Sequence, residues 1–381
     1  MLPRAVLALL CATISACAPE PPPGEAGGQP LELEEVLGGD ESEGFARVLE
    51  ARELVFPRDH GPHPDYRSEW WYFTGNLQTD AGRRFGYELT FFRFALRPGE
   101  AARESRWATR QVYMAHLALT DVEDKRFRFY ERVVRGAAGL AGARASPFRV
   151  WAEDWFVEAP ETAAFPWRLR AAVENIDLDL QLTGTKPAVL QGDQGLSRKS
   201  AAPGNASYYY SIPRLRTRGS ITVGGKRFSV RGQSWMDREW GTSALARDQA
   251  GWDWFALQLD DGTDLMFYRL RRKDGAIDSF SAGSLVGPQG RKQPLAHEDV
   301  DIEVLDTWAS PRGGATYPSR WRLRVPTAGL ALSIQPLLSD QELDASVRYW
   351  EGAVRVSGRH GEKPVRGYGY VELTGYARPV E

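Results

Sequence analysis

The sequence predicts an all-β protein of two domains, and three observations carry that prediction. Apolar residues come in short runs interrupted by Gly, Pro, Asn and Asp, with 38 glycines in 381 residues, the punctuation of many short strands rather than long helices. No apolar pattern of helical period extends over a convincing length. The chain is also too long for one small domain, and its apolar content of 42% can bury a core in each of two. A formal net charge of -2, with acids and bases interleaved, gives no electrostatic footprint for nucleic acid.

Residues 1–17 read as a leader to be set aside before the fold. Arg4 supplies a short basic start, and Ala5 to Ala16 is apolar but shorter than the roughly 20 residues of a membrane-spanning helix. Ile14-Ser15-Ala16-Cys17 has the form of a bacterial lipobox; an ordinary secretory leader with a chance cysteine is the alternative. Processing before Cys17 removes Cys11 and leaves a lipidated Cys17 as the one cysteine, so the domains stand on their cores without a disulfide. Three acyl chains would hold the protein at a membrane surface without spanning it. Ala18, where Asp would retain the protein, points to an outer-membrane lipoprotein of the cell envelope facing the periplasm. Residues 18–55 form a flexible tether and lead-in. They are rich in Pro, Gly and Glu to about Leu37, and Phe45, Val48, Leu49 and Leu54 then have the spacing of a short amphipathic helix.

The first domain is expected over residues 56–235. His60 to Leu77 is its densest stretch: Pro62 and Pro64 order a loop holding His60, His63, Asp65, Arg67 and Glu69, which feeds Trp70-Trp71-Tyr72-Phe73 into a strand. A turn at Thr79 to Gly82 leads into a strand over Phe85 to Phe94 whose two faces are both largely apolar, as in a strand facing a ligand or one packed between two layers. Further strands are expected at Gln111 to Thr120, Phe127 to Val133, Phe148 to Val157, Trp167 to Val173, Ile176 to Leu182, Tyr208 to Ile212 and Gly219 to Val223, the last joined to Lys226 to Arg231 by a Gly224-Gly225 hairpin. The second domain, residues 236–381, opens on Asp237-Arg238-Glu239-Trp240, followed by strands over Trp252 to Leu259 and Asp264 to Arg271. A faint internal repeat links the two: Leu77-Gln78-Thr79-Asp80-Ala81-Gly82 is echoed by Leu257-Gln258-Leu259-Asp260-Asp261-Gly262, each between aromatic-rich strands.

Four blocks together resemble the AttH-like family, which is related to carotenoid 1,2-hydratase (hydroxyneurosporene synthase). They are His60 to Asp65 with Glu69 to Leu77, Gln191-Gly192-Asp193 with Asn205 to Ser211, Trp235 to Trp240, and Gly369 to Tyr376. The resemblance covers about Phe56 to Tyr376 and implies two lipocalin-like antiparallel β-barrels in tandem. Members are labelled hydrolases or hydratases, and some sit beside ABC-type export permeases. Hydratase members add water to an isolated C=C bond, which requires a protonated carboxylic acid and aromatic faces around a carbocation. Here Asp237, Glu239 and Glu69 are the candidate acids, and Trp70, Trp71, Tyr72, Trp235, Trp240, Trp252, Trp254 and Tyr268 the candidate ligand-binding residues. The alternative is that the tryptophans close barrel ends while the acids pair with Arg67 and Arg238 to order loops. Arg238 departs from the family pattern, which commonly has His between the two acids; Arg cannot exchange a proton near neutral pH. The strand carrying Tyr268 also supplies no carboxylate where the hydratases' proton donor is expected.

His60, His63, Asp65 and His116 lack the spacing of a metal signature, Gly-x-Ser-x-Gly is absent, and no phosphate loop or dinucleotide fingerprint occurs, so no metal and no cofactor are expected. Three functions follow: an envelope protein binding a hydrophobic small molecule such as a lipid or polyene; a cofactor-independent hydratase or isomerase; and an accessory lipoprotein of an ABC-type permease. A meeting of Asp65, Arg67 and Glu69 with Asp237, Arg238 and Glu239 across the barrel junction is the geometric expectation.

Overall fold

In the computed structural model of the chain, residues 31–32, 43–99, 105–160, 165–243 and 245–376 are described. The leader, Cys17 and most of the tether lie outside the described residues. Among the described residues no helix is long and apolar enough to cross a membrane, and two large antiparallel sheets make up the fold.

The first sheet runs in the order Arg126–Arg135, Gln111–Asp121, Arg84–Ala95, Ser68–Gln78, Lys226–Gly241, Ala206–Val223, Ile176–Gly184, Trp167–Val173, Trp155–Glu158, Phe148–Ala152, Ala141–Ala145. The second runs Lys292–Leu295, Ala282–Val286, Asp264–Arg272, Gln249–Leu259, Lys363–Leu373, Val347–His360, Leu330–Pro336, Thr316–Val325, Asp301–Ala309. Each curls around its own core, one holding Trp71, Phe73, Leu89, Leu117, Leu169, Leu180 and Trp240, the other Phe255, Leu257, Trp321, Ile334, Trp350 and Val371. The plan repeats: in each sheet the opening strand of the first hairpin pairs with the final strand, Ser68–Gln78 with Lys226–Gly241 and Gln249–Leu259 with Lys363–Leu373.

The repeat extends to the turns. The hairpins close at Gln78↔Arg84 and Gln258↔Asp264. In the first, Gly82 N–H donates to the Thr79 carbonyl at 3.0 Å; in the second, Gly262 N–H donates to the Leu259 carbonyl at 3.2 Å. Gly82 and Gly262 sit at φ +90° and +87°, a region where a Cβ is strained. The echoed Leu-Gln-x-Asp-x-Gly is therefore one turn used twice.

Several elements differ from the sequence-based expectation. Phe148 to Val157 is split into two strands by a reversal at Glu153, φ +56°. Tyr208 to Ile212 and Gly219 to Val223 are parts of one strand, Ala206–Val223, with a bulge between Ile212 and Leu215. Lys226–Gly241 stays in the first sheet along its whole length, so that sheet extends past the boundary expected at residue 235. Residues 43–57 form no helix; they make an extended strap that buries Val48 and Leu54 in the first core and leaves Leu49 exposed. The strap is held by backbone bonds such as Ala46 N–H to Asp65 C=O at 2.9 Å, which a helix would have turned inward.

Strands at the junction are apolar on both faces because one face fills its own barrel and the other meets the second barrel. Tyr72, Tyr209 and Trp235 from the first pack with Trp254, Met266, Tyr268 and Tyr370 from the second. This is the two-layer arrangement, and side-chain alternation assigns each residue to a face.

Candidate functional site

Alternation and register build the site. Asp237 lies opposite Tyr72 and Glu239 opposite Trp70 in the ladder between Lys226–Gly241 and Ser68–Gln78. All four therefore leave the first sheet on its outer face. In the second sheet Glu372 lies opposite Trp254, and Trp254 opposite Tyr268. The two outer faces enclose a cavity of about 70 Å³ lined by Trp70, Tyr72, Phe92, Lys199, Tyr209, Asp237, Glu239, Leu245, Trp252, Trp254, Tyr268, Leu270 and Glu372.

Asp237 is held by three donors. Ser211 Oγ donates to Oδ1 at 2.5 Å, Trp235 Nε1 donates to Oδ1 at 2.7 Å, and Tyr209 hydroxyl donates to Oδ2. Burial pushes its carboxyl up to about 7 against these donors. Glu239 accepts a bond from Ser207 Oγ and meets Lys199 Nζ at 3.0 Å. Lys199 also lies over the Tyr268 ring at 4.2 Å; burial alone would lower its ammonium, but Glu239 and Tyr268 outweigh it and the group is raised.

Glu372 is the acid that sequence reasoning missed. Trp252 Nε1 donates to its Oε1 at 2.7 Å, and burial, reinforced by Asp237 and Glu239, pushes it up to about 8. Glu351 is its direct cross-strand neighbour, and two adjacent buried carboxyls each disfavour the other's ionisation. Tyr72 in turn donates to Glu351 Oε1 at 2.6 Å. Burial raises Glu351 and neighbouring Glu88 well above the carboxylate range, with Glu372 adding to both. Glu372 belongs to the Gly369 to Tyr376 block, and its place opposite Trp254 is the signal that brings it to the cavity; Tyr209 lies likewise in the Asn205 to Ser211 block, opposite Glu239, whereas Lys199 carried no comparable mark.

Other expected residues lie elsewhere. Glu69 is not at the cavity: it faces the interior of the first barrel, where Arg93 and Arg238 bond its two oxygens. Burial would raise this carboxyl, but the two arginines outweigh it and hold it well below the usual range, so it has no proton to give near neutral pH. Trp71 and Trp240 share that inward face; the Arg238 guanidinium sits 3.9 Å from the Trp71 ring centroid. Trp235 stands behind Asp237 rather than on the cavity wall. The Glu69–Arg238 meeting is thus between adjacent strands of one sheet, not across the junction.

The histidines are separate. His60 Nδ1 lies 2.6 Å from Tyr210 hydroxyl, and His63 stacks on Trp240 with ring centroids 3.8 Å apart. His116 bridges Tyr349 and Glu131 at 2.8 and 3.0 Å. Among the described residues no group of three or more His, Cys, Asp or Glu is placed to hold a metal ion.

Comparisons with known proteins agree with this architecture. The AttH-like family profile matches residues 47–376. A crystal structure of a protein designated AttH, from Nitrosomonas europaea, superposes with a TM-score of 0.79 at 37% identity, covering 88% of this chain and 100% of that one. Kievitone hydratase from Fusarium solani subsp. phaseoli is 26% identical over 213 residues, 54% of this chain and 59% of that protein, so the aligned part spans little more than half of this relative. A crystal structure of kievitone hydratase from Nectria haematococca has the same fold, with a TM-score of 0.67 at 17% identity over 92% of this chain and 99% of that one. With two antiparallel barrels, a shared turn repeat and this match over nearly the whole described chain, the protein belongs to the AttH-like family.

Proposed function

We propose that the inter-barrel cavity takes the unsaturated end of a hydrophobic small molecule and adds water across an isolated C=C bond. The observation that supports this reading is that Asp237 and Glu372, one from each barrel and both titrating near neutral pH, line the same aromatic-walled cavity. A hydratase among the relatives accords with it. A volume of about 70 Å³ suits one reacting terminus and a few waters, so the rest of the chain would remain outside.

The two acids divide the work by environment. Asp237, ringed by three donors, is suited to be the carboxylate; Glu372, desolvated and beside the Glu351 carboxyl, is suited to be the acid. Glu372 gives its proton to one alkene carbon, the π electrons forming the new C–H bond. The cation left on the other carbon lies among the Trp70, Tyr72, Trp252 and Trp254 rings. A water oxygen bonds to that carbon and its released proton passes to Asp237. Proton exchange returns Glu372 to its acid form and Asp237 to its carboxylate, so the net change is one added water. Tethered through Cys17, the protein would do this at the envelope.

Incubation with kievitone and a panel of acyclic polyenes, followed by mass spectrometry for the gain of one water, tests the reading. Asp237→Asn and Glu372→Gln are each expected to lower turnover by about 10²–10⁴. Retention of a ligand without product would leave binding alone; no hydrated product from the panel, or unchanged turnover in both variants, overturns the hydratase reading.

A further inference from the structure

The same junction opens at its other end, beyond Gln78 and Gln258, into a second cleft of about 900 Å³. Six arginines line it, Arg84, Arg214, Arg216, Arg218, Arg231 and Arg366, against one acid, Asp260, among the described residues. Two of the six are engaged by carboxylates outside the lining: Arg214 bonds Asp264 at 2.5 Å, and Arg231 pairs with Asp80. The other four have no carboxylate on the guanidinium among the described residues. Arg218 reaches only the neutral Gln181 amide at 3.2 Å. Arg84 lies 4.2 Å over the Tyr368 ring, which leaves its edge N–H donors outward. Asp260 accepts from the backbone N–H of Arg366 at 3.0 Å. Four such cations less one carboxylate leave three positive charges in the cleft of a chain whose net charge is -2.

The placement is costly for the protein alone. Arg216 and Arg218 are alternate residues of one strand and share a face, and Arg218 is the direct cross-strand partner of Arg231. Like charges directly opposite destabilise a sheet. Planar guanidinium forks fixed on rigid strands match the oxygens of a phosphate better than any flexible ammonium. The volume exceeds what one small inorganic ion fills and lies in the range of ordinary ligand sites.

We infer that this cleft is a binding site for a multivalent anion carrying clustered phosphate groups, separate from the aromatic cavity and independent of the reaction proposed there. The chemistry is shared by a free oligophosphate and by a phosphorylated lipid headgroup.

Titration of the full chain at low ionic strength with inorganic tripolyphosphate is one arm. Sedimentation with phosphatidylglycerol–phosphatidylcholine vesicles against pure phosphatidylcholine vesicles is the other, the difference cancelling any contribution of a lipid tail. Binding of either probe is expected to fall with rising salt and to weaken by at least roughly tenfold in Arg84→Gln/Arg216→Gln/Arg366→Gln, since each lost charge-assisted bond is worth that order. The single variant Arg216→Gln, at an exposed residue, keeps the test open if the triple variant fails to fold and should weaken binding several-fold; Asp260→Asn should tighten it. Preference for tripolyphosphate marks a free oligophosphate and preference for the vesicles a headgroup, and both support the site. Absence of binding to both probes, or equal binding by wild type and the arginine variants, overturns it.

Discussion

Tyr72 of the first barrel donates its hydroxyl proton to Glu351 of the second across 2.6 Å, where both side chains are buried. The bond joins the barrels through a carboxyl that is the cross-strand neighbour of Glu372 and lies near Glu88. All three carboxyls are raised by burial, Glu372 to about 8. A carboxyl whose folded pKa is raised contributes its full stability below the unfolded pKa, about 4.5, and loses it as pH rises toward the folded value.

Stability should therefore decline from about pH 5 to pH 8, with a slope of up to about 1.4 kcal/mol per pH unit for each such carboxyl. Glu69, held low by Arg93 and Arg238, acts in the opposite sense and destabilises the fold as pH falls below about 4. Urea unfolding midpoints across pH 4–9 check this. Glu88→Gln should flatten the alkaline decline and raise stability at pH 8, and a midpoint that climbs from pH 5 to 8 would contradict it.

Turnover, once a substrate is found, should rise as Asp237 ionises near 7 and fall as Glu372 loses its proton near 8. The profile is then a narrow bell centred between those values. Asp237→Asn should remove the acidic limb along with most activity, and Glu372→Gln the alkaline one; a rate flat from pH 5 to 9 in the wild type would exclude both assignments.

Glu69→Gln should cost stability rather than chemistry. It leaves Arg93 and Arg238 buried without a counter-charge, a loss of about 3–5 kcal/mol. Thermal unfolding should register it, while the rate per folded molecule stays within a factor of about two of wild type because Glu69 is off the cavity.

The twin turns make a paired test. Gly82→Ala meets nothing within 4 Å, so it should cost only the strain of its positive φ, about 1–2 kcal/mol. Gly262→Ala also places its Cβ 3.2 Å from Pro288 and should cost more. Equal losses in denaturant melts would show that Pro288 gives way.

Much of the architecture was legible in local pattern. Strand punctuation, the Gly224-Gly225 hairpin, whose glycines sit at φ +58° and +77°, and the repeated turn are all short-range signals. The site was legible in part, because Trp70, Tyr72, Asp237, Glu239, Trp252, Trp254 and Tyr268 do line one cavity. Strict alternation along Glu69-Trp70-Trp71-Tyr72 and Asp237-Arg238-Glu239-Trp240 would already have sent Glu69, Trp71, Arg238 and Trp240 to the opposite face. Glu372 was hidden for a different reason: its block, Gly369 to Tyr376, marks it by resemblance alone, and its partners Trp252, Glu351 and Trp254 arrive through pairing of distant strands.

Each ring closes by pairing its opening strand with its last, and those two last strands carry Asp237 and Glu372. A ribosome therefore delivers the first acid only as the first ring is completed, and the second only with the strand that closes the second ring. Until that strand is in place neither a closed second barrel nor a complete cavity exists, so a nascent chain, or one clipped before Lys363–Leu373, presents half a site and cannot turn over substrate by the proposed route.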